Sequence, residues 1–151
     1  FYLMVESGRI DHGHHAGQAG YALEEAVEFA RAIQWAIDNT DPAETLIMVT
    51  ADHSHVFTIA GYPRRGNDIL GLVVPPAAGG ERGDDPMLPA DGKPYTTLVY
   101  ANGPGAVRPD AGGGRPVPET GSTSPQQALV PLGSESYPGE AVARSAIRPP
   151  R

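Results

Sequence analysis

Apolar residues fall into three ordered groups along the first half of the chain. Phe1-Tyr2-Leu3-Met4-Val5 is an uninterrupted apolar run and predicts a buried strand. Leu23, Ala26, Val27, Ala30, Ile33 and Ile37 recur at spacings of three and four, so they share one face of a helix over about residues 20–38. Asn39-Thr40-Asp41-Pro42 ends that helix, because proline disfavours a helical residue before it and cannot continue the hydrogen-bond ladder. Thr45-Leu46-Ile47-Met48-Val49-Thr50 is nearly continuous in hydrophobicity, as in a strand covered on both faces. Strand, helix and strand in that order predict a βαβ unit over residues 1–60. A right-handed crossover then brings the carboxyl ends of both strands to one sheet edge, where open α/β sheets bind their ligands.

The second half carries less order. Only residues 95–101 read as a strand, whereas residues 79–92 and 105–124 read as loops. Most of the 19 glycines and 16 prolines lie after residue 78. Long irregular connections of this kind are usually functional or mobile. The expected fold class is α/β, with a mostly parallel central sheet flanked by helices.

Composition narrows the possible partners. The 151 residues hold 18 acidic and 11 basic side chains for a net charge of −7, and Lys93 is the only lysine. Such a balance argues against a general nucleic-acid binder, which depends on clustered Lys and Arg. No apolar run approaches the roughly 20 residues of a membrane span. The absence of cysteine excludes disulfides and thiolate metal sites. Opening directly on an apolar strand, with neither initiator Met nor a leader pattern, fits a chain that begins inside a domain.

The segments after the two predicted strands hold the candidate chemistry. All 5 histidines lie there, as His12, His14, His15, His53 and His55, together with Glu6, Asp11 and Asp52. Carboxylate and imidazole without thiolate is the ligand set of catalytic zinc and, where oxygen dominates, of magnesium or manganese. Asp11 and His15 are four apart, so a helical turn puts them on one face; Asp52 and His53 reach one ion only if the chain turns just after Ala51. A single Asp or His after a strand is usually a cap or a solvated loop residue. Two clusters expected at one sheet edge make a different case, and they predict a metal site. Paired divalent ions clamp the attacking and leaving oxygens of an in-line displacement, which suits phosphate-ester hydrolysis. Ser7, Thr50 and Ser54 lack the pattern of a nucleophile, and Arg64-Arg65 reads as a solvated turn. Gly79-Gly80 and Gly112-Gly113-Gly114 read as flexible turns, and Trp35 as the edge of a core.

Val5-Glu6-Ser7-Gly8-Arg9-Ile10-Asp11-His12-Gly13-His14-His15 and Val49-Thr50-Ala51-Asp52-His53-Ser54-His55 resemble, in order and separation, the two metal-binding motifs of alkaline phosphatase. Gly61-Tyr62, Arg65-Gly66, Tyr100-Ala101-Asn102-Gly103-Pro104-Gly105 and Gln126-Gln127-Ala128-Leu129-Val130-Pro131-Leu132 continue the resemblance, nearest the animal-type branch. It extends over about residues 1–143, which are then the C-terminal part of one domain: a metal-bearing unit over 1–60 and a loop-rich part over 61–143. Residues 144–151 are expected to form an unstructured tail.

The resemblance implies roles position by position. Glu6 corresponds to the magnesium-binding glutamate, Asp11 and His15 to ligands of one zinc, and Asp52 and His53 to ligands of the other. His55 corresponds to a histidine that supports those ligands, and His12 is placed with it. The implied reaction is hydrolysis of small phosphate monoesters through a phosphoserine intermediate at a site of two zinc ions and one magnesium ion. The family's serine nucleophile precedes the region seen here, so the segment alone is expected to be inactive. The family is typically homodimeric and secreted, periplasmic or held at the cell surface. At Ser134-Glu135-Ser136-Tyr137, Tyr137 takes the place of a zinc-binding histidine, and a phenol with pKa near 10 is a poor substitute at neutral pH. A related phosphodiesterase, sulfatase or phosphomutase, or a degenerate paralogue that binds metal without catalysis, are the alternative readings.

Overall fold

The computed structural model describes residues 1–76, 83–106 and 114–147; Gly79-Gly80, Gly112-Gly113 and the last four residues of the expected tail lie outside them. Two helices come first, α1 (Arg9–His15) and α2 (Ala19–Asp38). Among the described residues five short strands follow: β1 (Ile47–Val49), β2 (Phe57–Ile59), β3 (Leu98–Gly103), β4 (Ala128–Pro131) and β5 (Ser145–Ile147). The predicted helix is thus present almost to the residue, and the strand predicted over 95–101 is present with a shift toward its carboxyl end.

The α/β class holds, and the strand pairing is mixed. A three-stranded sheet has the order β2-β3-β4, with β2 antiparallel and β4 parallel to β3. A separate pair joins β1 to β5 antiparallel, Ile47 opposite Ile147. This corrects two expectations. The tail residues Ser145–Ile147 form a strand rather than an unstructured end. The βαβ unit is not formed either, because Phe1-Tyr2-Leu3-Met4-Val5 is not a strand and pairs with nothing described. These five side chains are all exposed, Phe1 completely and Val5 at 63%. A strand needs a neighbour for its backbone groups and a surface for its apolar face, and this run has neither among the described residues.

A small core holds the three-stranded sheet to the helices. Leu98 and Tyr100 of β3 and Ala19 at the start of α2 are buried together, with Leu23, Phe57, Leu70 and Ala128 packed around them. Only the first turns of α2 are buried, so its apolar stripe continues outward to Val27, half exposed, and Trp35, at 68% exposed, is not a core edge. The two helices meet at Gly13 and Ala22, where a Cβ on Gly13 would lie 2.6 Å from the Ala22 amide nitrogen. In the parallel β3–β4 pair Gly103 lies opposite Pro131, and in β2 Phe57 lies opposite Tyr100. The carboxyl ends of β3 and β4 and the amino end of β2 therefore share one sheet edge, and the candidate chemistry gathers there.

Candidate metal centre

Residues 6–17, which follow the apolar run at the start of the chain, contain a short helix with defined ends. Asp11 lies in the first turn of α1, where a carboxylate suits the helix dipole, and His12, His14 and His15 lie in its last turn. Gly17, at φ 68°, stops it. Its amide donates to the carbonyl of His14 at 2.7 Å, and the amide of Gln18 to that of Gly13 at 2.9 Å, the paired bonds of a Schellman cap. One helical turn thus places Asp11 and His15 on the same face, with His15 Nε2 3.4 Å from Asp11 Oδ1.

The second histidine segment arrives from the loop between β1 and β2. His55 Nε2 lies 3.3 Å and His53 Nε2 3.6 Å from the same Asp11 oxygen. Asp11 Oδ1 is buried and makes no hydrogen bond. A buried carboxylate oxygen without a partner is costly, and three imidazole nitrogens ring this one. Zinc bonds of about 2.0–2.1 Å in tetrahedral geometry separate neighbouring ligand atoms by about 3.3–3.4 Å, close to these spacings. Asp11, His53 and His55 form one group able to hold an ion, and His15, His55 and Glu135 form an overlapping one.

Other expected residues lie farther out. Asp52 Oδ2 is 3.6 Å from His53 Nε2, but its side chain is 90% exposed. Glu6 and His12 are exposed and belong to no metal-capable group among the described residues. Tyr137 lies across the cluster, its hydroxyl 2.9 Å from His15 Nε2 and its ring centroid 3.8 Å from that of His53. Desolvation and the nearby Asp11 carboxylate push its phenol above the ordinary value, so it is neutral near pH 7.

One group escapes a reading of the sequence. Glu135, in the loop after β4, is fully buried at its side chain and accepts hydrogen bonds from His55 Nδ1 at 2.6 Å and the Val56 amide at 2.7 Å. The only sequence signal for it was its place two residues before Tyr137. His14 packs against His55 with ring centroids 4.5 Å apart, and its Nδ1 lies 2.9 Å from the Tyr100 hydroxyl. Burial, reinforced by His55, lowers its pKa to about 4, and burial raises that of Tyr100.

A model of the alkaline phosphatase family matches residues 1–150. The chain belongs to the alkaline phosphatase family. It is 47% identical to the tissue-nonspecific alkaline phosphatase of Gallus gallus over 99% of its own length, and 47% identical to that of Homo sapiens over 95%. The isozyme of Rattus norvegicus is 45% identical over 99% of the chain. The chain spans only 27% of the length of the Gallus gallus relative and 26% of the Homo sapiens one. Within this alkaline phosphatase domain the structure gathers Asp11, His15, His53 and His55, sets Asp52 at their margin and leaves Glu6 and His12 apart. Among the described residues no helix is long and apolar enough to cross a membrane.

Proposed function

We propose that the chain carries the histidine-bearing metal centre of a metal-dependent phosphomonoesterase. The convergence of three imidazole Nε2 atoms on the unpartnered, buried Asp11 Oδ1 carries this reading. In it Asp11 and His15 hold one zinc ion, Asp52 and His53 hold a second, and Glu6 takes part in a magnesium site. Such ions supply positive charge for a phosphoryl group and lower the pKa of a bound water toward about 7. The chain's own residues set the donors in place. Asp11 adds a carboxylate to a group of imidazoles, and α1 fixes its distance from His15. His53 stands between the Asp11 and Asp52 carboxylates and links the two parts of the site.

The substrates of this reading are small phosphate monoesters, and the whole protein is a homodimer that is secreted, periplasmic or at the cell surface. In this reading the serine that forms the phosphoenzyme belongs to another part of the whole protein, and the chain alone binds metal without turnover. Calorimetric titration with zinc tests the site: binding in the wild-type chain, weakened more than about tenfold in Asp11→Asn, is expected. Absence of binding, or an unchanged Asp11→Asn, would defeat the proposal. Hydrolysis of an aryl phosphate by the chain, abolished by a chelator, would defeat the part concerning turnover.

Tyr137 favours a second reading, a paralogue that binds metal without catalysis. Its hydroxyl bonds the very nitrogen of His15 that a zinc ion needs. In that case a complete protein retains tightly bound zinc at one position and hydrolyses nothing.

A further inference from the structure

We infer that Asn102, at the carboxyl end of β3, is a positioning residue: its side chain pins the loop after β4, and through that loop it seats the ring of His15. The inference rests on the metal-centre reading above, in which His15 holds zinc, and its test separates the two. Asn102 is part-buried and bonds one residue twice. Its Oδ1 accepts from the Ser136 amide at 3.0 Å, and its Nδ2 donates to Ser136 Oγ at 2.8 Å. A backbone amide only donates, so the side-chain oxygen must face it, and the NH2 group is left for the hydroxyl. One residue earlier the loop meets α1. The Glu135 amide donates to the His15 carbonyl at 3.0 Å, and the Glu135 carbonyl accepts from His15 Nδ1 at 2.6 Å.

Both bonds to His15 come from backbone, so they depend on where the loop lies rather than on the side chain of residue 135. Metal-binding histidines commonly give their second ring nitrogen to such a carbonyl, which fixes the orientation of the ring. Here it leaves Nε2 toward Asp11 Oδ1, at 3.4 Å. The sheet itself stops holding the chain before this point, because β4 ends at Pro131, opposite Gly103. Beyond it the Leu132 amide reaches the Gly103 carbonyl only at 3.4 Å. Gly103, at φ 138°, lets the loop come close: a Cβ there would lie 3.3 Å from that of Glu135. The Glu135 carboxylate ties the loop to His55 and Val56, whereas Asn102 ties it to the sheet. Neither Asn102 nor Ser136 carries a group that titrates near neutrality.

The experiment pairs amide hydrogen exchange of the metal-free chain with calorimetric zinc titration. In the wild type the Glu135 and Ser136 amides are expected to be protected from exchange. In Asn102→Ala both are expected to lose protection while the Tyr100 amide in the core keeps its own, and zinc affinity is expected to fall about tenfold. Asn102→Asp offers one oxygen to the Ser136 amide and the other to its hydroxyl, so it is expected to restore both readouts. Arg115→Ala, which releases Asp91 and the carbonyls of Lys93 and Pro94, controls for lost stability alone and is expected to bind zinc as the wild type does. Unchanged zinc affinity in Asn102→Ala, no recovery in Asn102→Asp, or an equal fall in Arg115→Ala would overturn the inference. So would a Ser136 amide that exchanges freely in the wild type, a measurement that serves even if the variants do not fold. Loss of protection in Asn102→Ala, in a chain that binds no zinc, would leave the pin intact and sink the metal centre instead.

Discussion

Gly13→Ala sets two effects of opposite sign against each other in the middle of the candidate ligands. In an ordinary helix interior the change stabilises by about 0.8–1 kcal/mol, because glycine loses more backbone freedom on folding. At this position the added Cβ would lie 2.6 Å from the nitrogen, 2.9 Å from the Cα and 3.1 Å from the Cβ of Ala22. Unstrained carbon contacts lie at about 3.5–4.0 Å. The two shortest contacts are to α2 backbone, which no rotamer change relieves, so α1 must move. Overpacking of this kind costs about 1–3 kcal/mol, and the backbone nature of the clash puts it at the upper end. The net expectation is a loss on the order of 1–2 kcal/mol, or a melting temperature lower by about 2–8 °C for a chain of this size. Because α1 carries Asp11 and His15, zinc affinity should fall together with stability. Thermal melts followed by circular dichroism, with and without zinc, measure both. A melting temperature equal to or above that of the wild type would show that helix propensity wins and that the two helices do not pack at Gly13.

Three other perturbations have expected signs. Tyr137→His exchanges a neutral phenol for an imidazole at the mouth of the cluster and is expected to raise zinc affinity by at least about tenfold in calorimetric titration; no change would mean that Tyr137 does not occupy a ligand position. Tyr100→Phe removes the hydroxyl 2.9 Å from His14 Nδ1 and is expected to lower unfolding stability by about 1 kcal/mol in urea melts, with the fold retained. The Arg115 guanidinium and the Lys93 amide hold the Asp91 carboxyl below its ordinary value. Its contribution is therefore present above the unfolded value near about 4 and is lost as pH falls through the lower folded value; Asp91→Asn should melt below the wild type at neutral pH and converge on it in that acid range, and equal melting at neutrality would refute the pairing.

The parts of the fold legible in the sequence were those whose signals are local. The stripe from Leu23 to Ile37 and the stop at Asn39-Thr40-Asp41-Pro42 specify α2 because spacing and termination both lie within it. Strand pairing depends on residues far away, and hydrophobicity does not encode it. The apolar run of residues 45–50 contains a strand, yet Ile47–Val49 pairs with Ser145–Ile147, almost 100 residues later, in a tail that carries no strand pattern of its own. Phe1-Tyr2-Leu3-Met4-Val5 has the composition of a strand but no partner among the described residues, and composition alone does not order a backbone. α1 was illegible for the opposite reason. It has seven residues and almost no apolar periodicity, and only Gly17, as its cap, marked its end.

The site shows how residue chemistry can be legible when topology is not. The two histidine segments do meet at a sheet edge, as expected, but not because they follow neighbouring parallel strands. Asp11 and His15 arrive on a helix ahead of the sheet, while His53 and His55 lead into β2 at its amino end. Parallel β3 and β4 supply the edge, and the chain beyond β4 brings Glu135 and Tyr137 to it. What the sequence conveyed was which side chains can share an ion. What it could not convey was the buried carboxylate that restrains them, since an acid in a loop of serine, tyrosine and proline looks solvated. Only its position behind His55, with every oxygen used, separates Glu135 from an exposed neighbour such as Glu140. Glu135→Gln is the substitution that a sequence reading would rank among the mildest, yet it leaves one oxygen where the His55 ring and the Val56 amide use two.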